Sequence, residues 1–140
     1  MPEQGGGEYQ KFLPEDVPAW QMPFWEGLRA HRLVMQRCSS CGTLRHVPKE
    51  LCRHCLTLGA TWSDVSELGE LYTYAVVHRA PTPAFQEEAP YVIAHVTMDA
   101  GPRMTGRLRV DPSELVIGMR VRAAYNDVTD GWTLLEFVPA

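Results

Sequence analysis

The sequence predicts a mainly β chain in two parts, a short metal-knuckle ribbon followed by a small five-stranded barrel, with one short helix ahead of both. Three observations predict it. Four cysteines stand at 38, 41, 52 and 55, forming two Cys-x2-Cys pairs with ten residues between them. From residue 69 onward, runs rich in β-branched and aromatic residues alternate with turn signals. Finally, 11 Gly and 11 Pro among 140 residues leave little room for long helix.

The elements follow in order. Met1–Gly7 reads as a flexible leader, and Lys11–Met22 as an irregular stretch broken by Pro14 and Pro18 and carrying Phe12, Val17 and Trp20. Pro23 suits a first helical position, and Phe24, Trp25 and Leu28 fall on one stripe, so a helix is expected at about 23–31. Leu33–Arg37 should be a strand entering the first knuckle, Leu44–Val47 a strand returning from it, and Thr61–Val65 a strand leaving the second. The expected organisation is a leader and helical segment over 1–32, a zinc ribbon over 33–68 and a barrel over 69–140.

Within the barrel, Glu70–Arg79, Tyr91–Met98 and Met104–Val110 read as strands, with Ala80–Pro90 a proline-marked loop and Gly106 a bend. Asp111-Pro112 signals the cap of one helical turn. Met119–Asn126 and Trp132–Val138 complete the set across a turn containing Asp130-Gly131. Three strands, a short helix and two strands is the order of an OB-fold barrel.

Size and charge exclude several classes. At 15.8 kDa the chain makes one ordinary domain or two small ones sharing contacts, and its 45% hydrophobic content supports a real core. No apolar run approaches the ~20 residues of a membrane-spanning helix. The opening residues lack the cationic and apolar stretches of a signal peptide, so a cytoplasmic module is expected. Thirteen basic against 17 acidic residues give −4, which argues against steering toward nucleic acid or anionic membrane.

With no sign of secretion, four cysteines favour a metal cage over disulfides. Each Cys-x2-Cys turn aims two sulfurs at one point, and Gly42 after Cys41 permits the positive φ of such a knuckle. Leu56, in the matching place of the second knuckle, stands where glycine would be more comfortable. Zinc is the first expectation and iron the second, since thiolates suit both. Four thiolates close the site, so the metal is structural. A deaminase pattern fails because Val47 and Pro48 follow His46, and Leu51 precedes Cys52. His46 and His54 are read as solvent-facing or outer groups rather than ligands.

The sequence resembles the acyl-CoA-associated proteins that join a rubredoxin-like zinc ribbon to an OB fold, a domain of unknown function found with thiolase-like enzymes and hydratases. The carriers are Phe24-Trp25-Glu26-Gly27, Val34–Cys38 with Cys41-Gly42, Pro48 ahead of Cys52 and Cys55, Gly69–Tyr74, Val76–Arg79, Ala89–Val92 and Ile117–Val121. Leu56 and the His46-Val47 step depart from the usual pattern. The resemblance implies a non-catalytic accessory subunit that helps position acyl-CoA for a thiolase-like or hydratase partner.

The residues support a non-catalytic reading separately. No cysteine remains outside the metal set to act as a nucleophile. His78 and His95 lie in expected strands with no nucleophile recognisable beside them, and Glu87-Glu88 sit on a solvated loop. Arg103, Arg107, Arg109, Arg120 and Arg122 form the basic cluster; Arg107 and Arg109 are expected on one strand face, as are Arg120 and Arg122. They either pair with acids such as Asp111 and Glu114 or, with Arg79, meet CoA phosphates or a partner's acidic surface. Trp20, Phe24 and Trp25 either anchor a partner or fold back on the core. The alternative function is single-stranded nucleic-acid binding, with Tyr72, Tyr74 and Tyr91 as stacking candidates. Residues 69–140 carry six basic and nine acidic residues, a balance of −3 that weighs against it.

Overall fold

The chain is described by a computed structural model over residues 9–140; the leader expected at Met1–Gly7 lies outside the described residues. Helix α1 spans Met22–Arg29, with Pro23 in its first turn and Arg29 in its last, where a cation favours the helix dipole. It ends earlier than expected because His31 takes a left-handed φ of 57°. Its inner stripe buries Phe24, Gly27 and Leu28.

Three short antiparallel strands make the ribbon: β1 (Val34–Cys38), β2 (Leu44–Arg45) and β3 (Ala60–Asp64), ordered β2-β1-β3. Gln36 pairs with Arg45 on one side and with Trp62 on the other, which fixes the register of the sheet.

Five strands then close a barrel: β4 (Leu68–Val77), β5 (Tyr91–Met98), β6 (Arg103–Leu108), β7 (Arg120–Asp127) and β8 (Thr133–Pro139). The order around it is β4-β5-β6-β8-β7, with β7 pairing back to β4. This is the OB-fold arrangement the strand order predicts. Among the described strands, only β6 and β8 pair in parallel, at Arg107↔Glu136 and Leu108↔Phe137. Gly106 belongs to that approach. A Cβ there would stand 2.9 Å from the Leu135 carbonyl oxygen and 3.1 Å from the Phe137 ring.

Two local features differ from expectation. The proline-marked loop holds a helical turn, α2 (Pro83–Gln86). β6 stops at Leu108, so Arg109 lies past its end rather than sharing a strand face with Arg107. The turn after it is a 3-10 helix (Pro112–Glu114), capped by Asp111, whose carboxylate accepts from the Ser113 N–H at 2.9 Å.

The period-2 pattern of β5 sorts its residues cleanly. Val92, Ala94, Val96 and Met98 are buried, while Tyr91, Ile93, His95 and Thr97 face outward. The inward set joins Met104, Leu108, Val121, Ala123 and Phe137 in one apolar cluster that also takes in Phe24, Leu28, Leu33 and Met35 from the helix and ribbon. Helix, ribbon and barrel therefore share a continuous core. Phe137, fully buried at its centre, is the test. Phe137→Ala should lower unfolding free energy by about 3–5 kcal/mol in urea titrations. Val116→Ala, at a side chain 63% exposed, should change it by no more than about 0.5 kcal/mol.

Candidate metal centre and adjoining cleft

The two knuckles share one backbone pattern. Cys38 N donates to Thr43 O (2.9 Å) and Gly42 N to Cys38 O (3.0 Å); Cys52 N donates to Thr57 O (3.0 Å) and Leu56 N to Cys52 O (2.8 Å). Each turn needs a left-handed residue directly after its second cysteine, supplied by Gly42 at φ 76° and by Leu56 at φ 62°. Strain therefore falls on the second knuckle.

These turns bring the Sγ atoms of Cys38, Cys41, Cys52 and Cys55 within 4.8 Å of one another. Cys38 and Cys55 sulfurs lie 3.6 Å apart, and those of Cys41 and Cys52 3.7 Å. A tetrahedron with sulfur about 2.3 Å from a central ion has edges of about 3.8 Å, so the donor set fits zinc. The surroundings favour thiolates. The Cys41 and Ser40 N–H groups donate to the Cys38 sulfur, holding its thiol down at about 5. The Cys55 and His54 N–H groups likewise lower Cys52. With four sulfurs engaged, the centre offers no open position for chemistry.

Beside the ribbon lies a cleft of about 860 Å³. Phe24, Trp25 and Leu28 of α1 make one apolar wall, Leu134 and Leu135 another, and the His46–Pro48 segment after β2 a third side. Its floor is the outer face of β5 and β6, with His95, Thr97, Thr105 and Arg103. The β2–β3 face of an OB barrel, here β5 and β6, is where such folds bind ligands. His95 Nδ1 is 2.8 Å from the Thr105 hydroxyl, and Arg103 lies 3.7 Å over the Tyr72 ring. His46 packs 5.1 Å from Phe24 with its Nδ1 buried and, among the described residues, without a hydrogen-bond partner. No sequence signal distinguished His46 as a cleft residue; its position comes from the ribbon's docking on the barrel.

The basic cluster divides. Arg107 pairs with Glu88, which also holds Lys11; Arg109 makes a two-pronged contact with Glu136 at 2.8 Å for each bond; Arg120 does the same with Asp99 at 2.9 and 2.7 Å. Asp111 and Glu114, the acids expected to pair with them, do not. Asp111 caps its own turn, and the partners come from neighbouring strands and turns. Arg79, Arg103 and Arg122 have no carboxylate within ion-pair distance among the described residues, and only Arg103 lines the cleft. Phe24 is buried at 7% exposure, so it is core and not a surface anchor, because the helix turns that stripe inward. Trp25 is half-buried against Trp132, ring centroids 5.4 Å apart, and Trp20 lies half-buried near Gln36 and Trp62. His78 falls just beyond β4 and is exposed.

A ribbon with a closed four-thiol centre, docked on an OB barrel through a shared core, defines the class of protein. Two family domains match: the ChsH2 rubredoxin-like zinc ribbon domain over residues 25–59 and the ChsH2 C-terminal OB-fold domain over residues 62–126. The chain belongs to the DUF35 family. It is 37% identical over 102 residues to a DUF35 domain-containing scaffold protein of Methanocaldococcus jannaschii, covering 70% of each chain. It is 39% identical over 119 residues to a probable enoyl-CoA hydratase alpha subunit of Thermomonospora curvata, covering 84% of this chain but 37% of that one. The chain thus spans little more than a third of the length of such hydratase subunits. A solved Ltp2-ChsH2(DUF35) aldolase structure superposes with a TM-score of 0.81 at 34% identity, covering 90% of this chain and 98% of that one.

Two tests follow from the geometry. Leu56→Gly should stabilise the protein by about 1 kcal/mol by relieving its left-handed backbone, since the side chain is 70% exposed and loses little packing. A lowered Tm would contradict that strain. Burial pushes the His46 imidazole down from 6.5 to about 4. As pH falls through that window the unfolded chain binds the proton first, so stability drops on the order of 3 kcal/mol and the loss levels off below about 4. Urea unfolding of parent and His46→Gln at pH 7 and below 5 should show a smaller acid loss in the variant.

Proposed function

We propose that this chain is a non-catalytic accessory subunit that helps position acyl-CoA for a thiolase-like or hydratase partner, with one structural zinc on Cys38, Cys41, Cys52 and Cys55. The cleft carries the reading. Its apolar walls suit an acyl or pantetheine arm, and the Arg103 guanidinium, stacked on Tyr72 and bonded to Thr97 but without a carboxylate partner among the described residues, is a cation at its floor. No cysteine exists outside the four-thiol set to attack a thioester. The relatives described as a scaffold protein and as a hydratase alpha subunit support the role. The contribution is orientation, which lowers the entropic cost of reaction without a reacting group.

Nucleic-acid binding has less support. Tyr72, one of its stacking candidates, is covered by Arg103, and Tyr91 by Arg107. The experiment is reconstitution with the co-purifying enzyme. The zinc-loaded chain alone should show no thiolase, hydratase or acyltransferase turnover, and should contain one metal ion per chain. Adding it should raise the partner's activity on acyl-CoA. Arg103→Gln should raise the partner's KM about tenfold, as expected for one lost charged contact. A partner indifferent to the chain defeats the proposal.

A further inference from the structure

We propose that His95 is a specificity-determining residue of the cleft. Its unpaired ring nitrogen takes an amide of the ligand's arm, so the cleft holds the amide-bearing pantetheine segment of an acyl-CoA and leaves the acyl group outside. The inference rests on the acyl-CoA reading for the identity of the ligand. It goes beyond that reading by deciding which of the ligand's two arms the cleft selects, and through which side chain.

The alternation of β5 places the residue. Ala94 and Val96 on either side of it are fully buried, so His95 stands on the outer face, where it lines the cleft floor. The β5–β6 ladder sets Thr105 directly opposite His95 and Arg103 opposite Thr97. His95 Nδ1 lies 2.8 Å from the Thr105 hydroxyl, and its ring meets Tyr72 in a T-shaped contact with centroids 6.1 Å apart. Tyr72 is itself covered by Arg103, whose Nε donates to Thr97 Oγ1 at 3.2 Å. These contacts hold the imidazole in one orientation before any ligand arrives. Nε2 is the atom left over: among the described residues it has no hydrogen-bond partner, and it is not a buried atom.

The walls on either side come from α1 and from Leu134 and Leu135 and are apolar. A ligand that fills the cleft takes water away from Nε2. A hydrocarbon chain would then leave the nitrogen unpaired under cover, which costs affinity. A secondary amide answers whichever tautomer the Thr105 contact selects, because it offers an N–H to a bare Nε2 and a carbonyl to a protonated one. Thr97 lies one outward position along the strand, about 7 Å from His95. Its hydroxyl oxygen accepts from Arg103, and its proton remains to be donated to a second polar atom of the same arm. Apolar walls over a floor with polar groups at two spaced positions suit a chain in which methylene segments alternate with amides, as they do in pantetheine. A plain acyl chain has nothing to offer that floor. With the arm so held, the thioester lies at the end of the cleft, open to a reacting group of the partner.

The test is a titration of the zinc-loaded full chain, nitrogen-15 labelled at histidine, with pantetheine and with 1-hexanol as a chain without amides. Pantetheine should move the Nε2 resonance of His95 more than its Nδ1 resonance. His95→Phe keeps a ring of similar size and removes both nitrogens; it should weaken pantetheine binding about tenfold and leave hexanol binding unchanged. His95→Gln, which restores a donor and an acceptor, should lose no more than about threefold, and Thr105→Val, which frees the imidazole to turn, about threefold. Equal weakening of both probes by His95→Phe would make the residue a packing element and overturn the inference. So would an unmoved Nε2, or pantetheine affinity unchanged in His95→Phe; in each case the acyl-CoA reading stands. Failure of pantetheine and of acetyl-CoA to bind the chain, alone or with its partner enzyme, removes the acyl-CoA reading and this inference with it.

Discussion

The convergence of four thiols at one point is the constraint on which the rest of the arrangement depends. A ribbon whose second strand is two residues long cannot hold itself together by strand pairing. Joining residues 38, 41, 52 and 55 closes the ten-residue connection between the knuckles and sets where its residues lie. That connection carries His46, Val47 and Pro48, which form one side of the cleft. Ribbon position then follows from Leu33 and Met35, buried in the same cluster as the barrel's Val96 and Phe137. Metal geometry and apolar packing act in series, the first shaping the ribbon and the second seating it.

Charge is distributed in keeping with that division. On the barrel, three arginines are neutralised by Glu88, Asp99 and Glu136, contacts that brace neighbouring segments. On the ribbon side of the cleft, Arg37 and Arg53 line a groove together with Cys52 of the metal centre and no carboxylate. The chain's net charge of −4 conceals this polarity.

Much of the fold was legible in sequence because its signals are local. Cysteine spacing, the alternation in Tyr91–Met98 and the Asp111-Pro112 cap each act over a few residues, and each corresponds to what the structure contains. The unease at Leu56 was likewise a local matter of backbone geometry, and its φ of 62° shows the reason. The site was less legible. Which acid meets Arg109 depends on the parallel β6–β8 pairing, and Arg45 meets Gln36 only through the ribbon's register. Phe24 and Trp25 are adjacent in sequence and both reach the cleft, but the helix buries one in the core and leaves the other half-exposed. The cleft itself belongs to no single segment.

Closure of the barrel also limits how the chain can join a larger assembly. Each of the five strands has a neighbour on both sides, which leaves free backbone edge only where pairing is partial, as along β4 beyond Glu70, since β4 meets β7 over Leu68–Glu70 alone. The three-stranded ribbon is different, because β2 and β3 each have an outer side unpaired within that sheet. Contact through the fully paired part of the barrel must rest on side chains and shape, which tolerate small rotations between subunits. Contact through the ribbon can also recruit the peptide backbone, which locks register residue by residue. A partner gripping the ribbon edge would be held in fixed register, while one resting on the barrel could still rock.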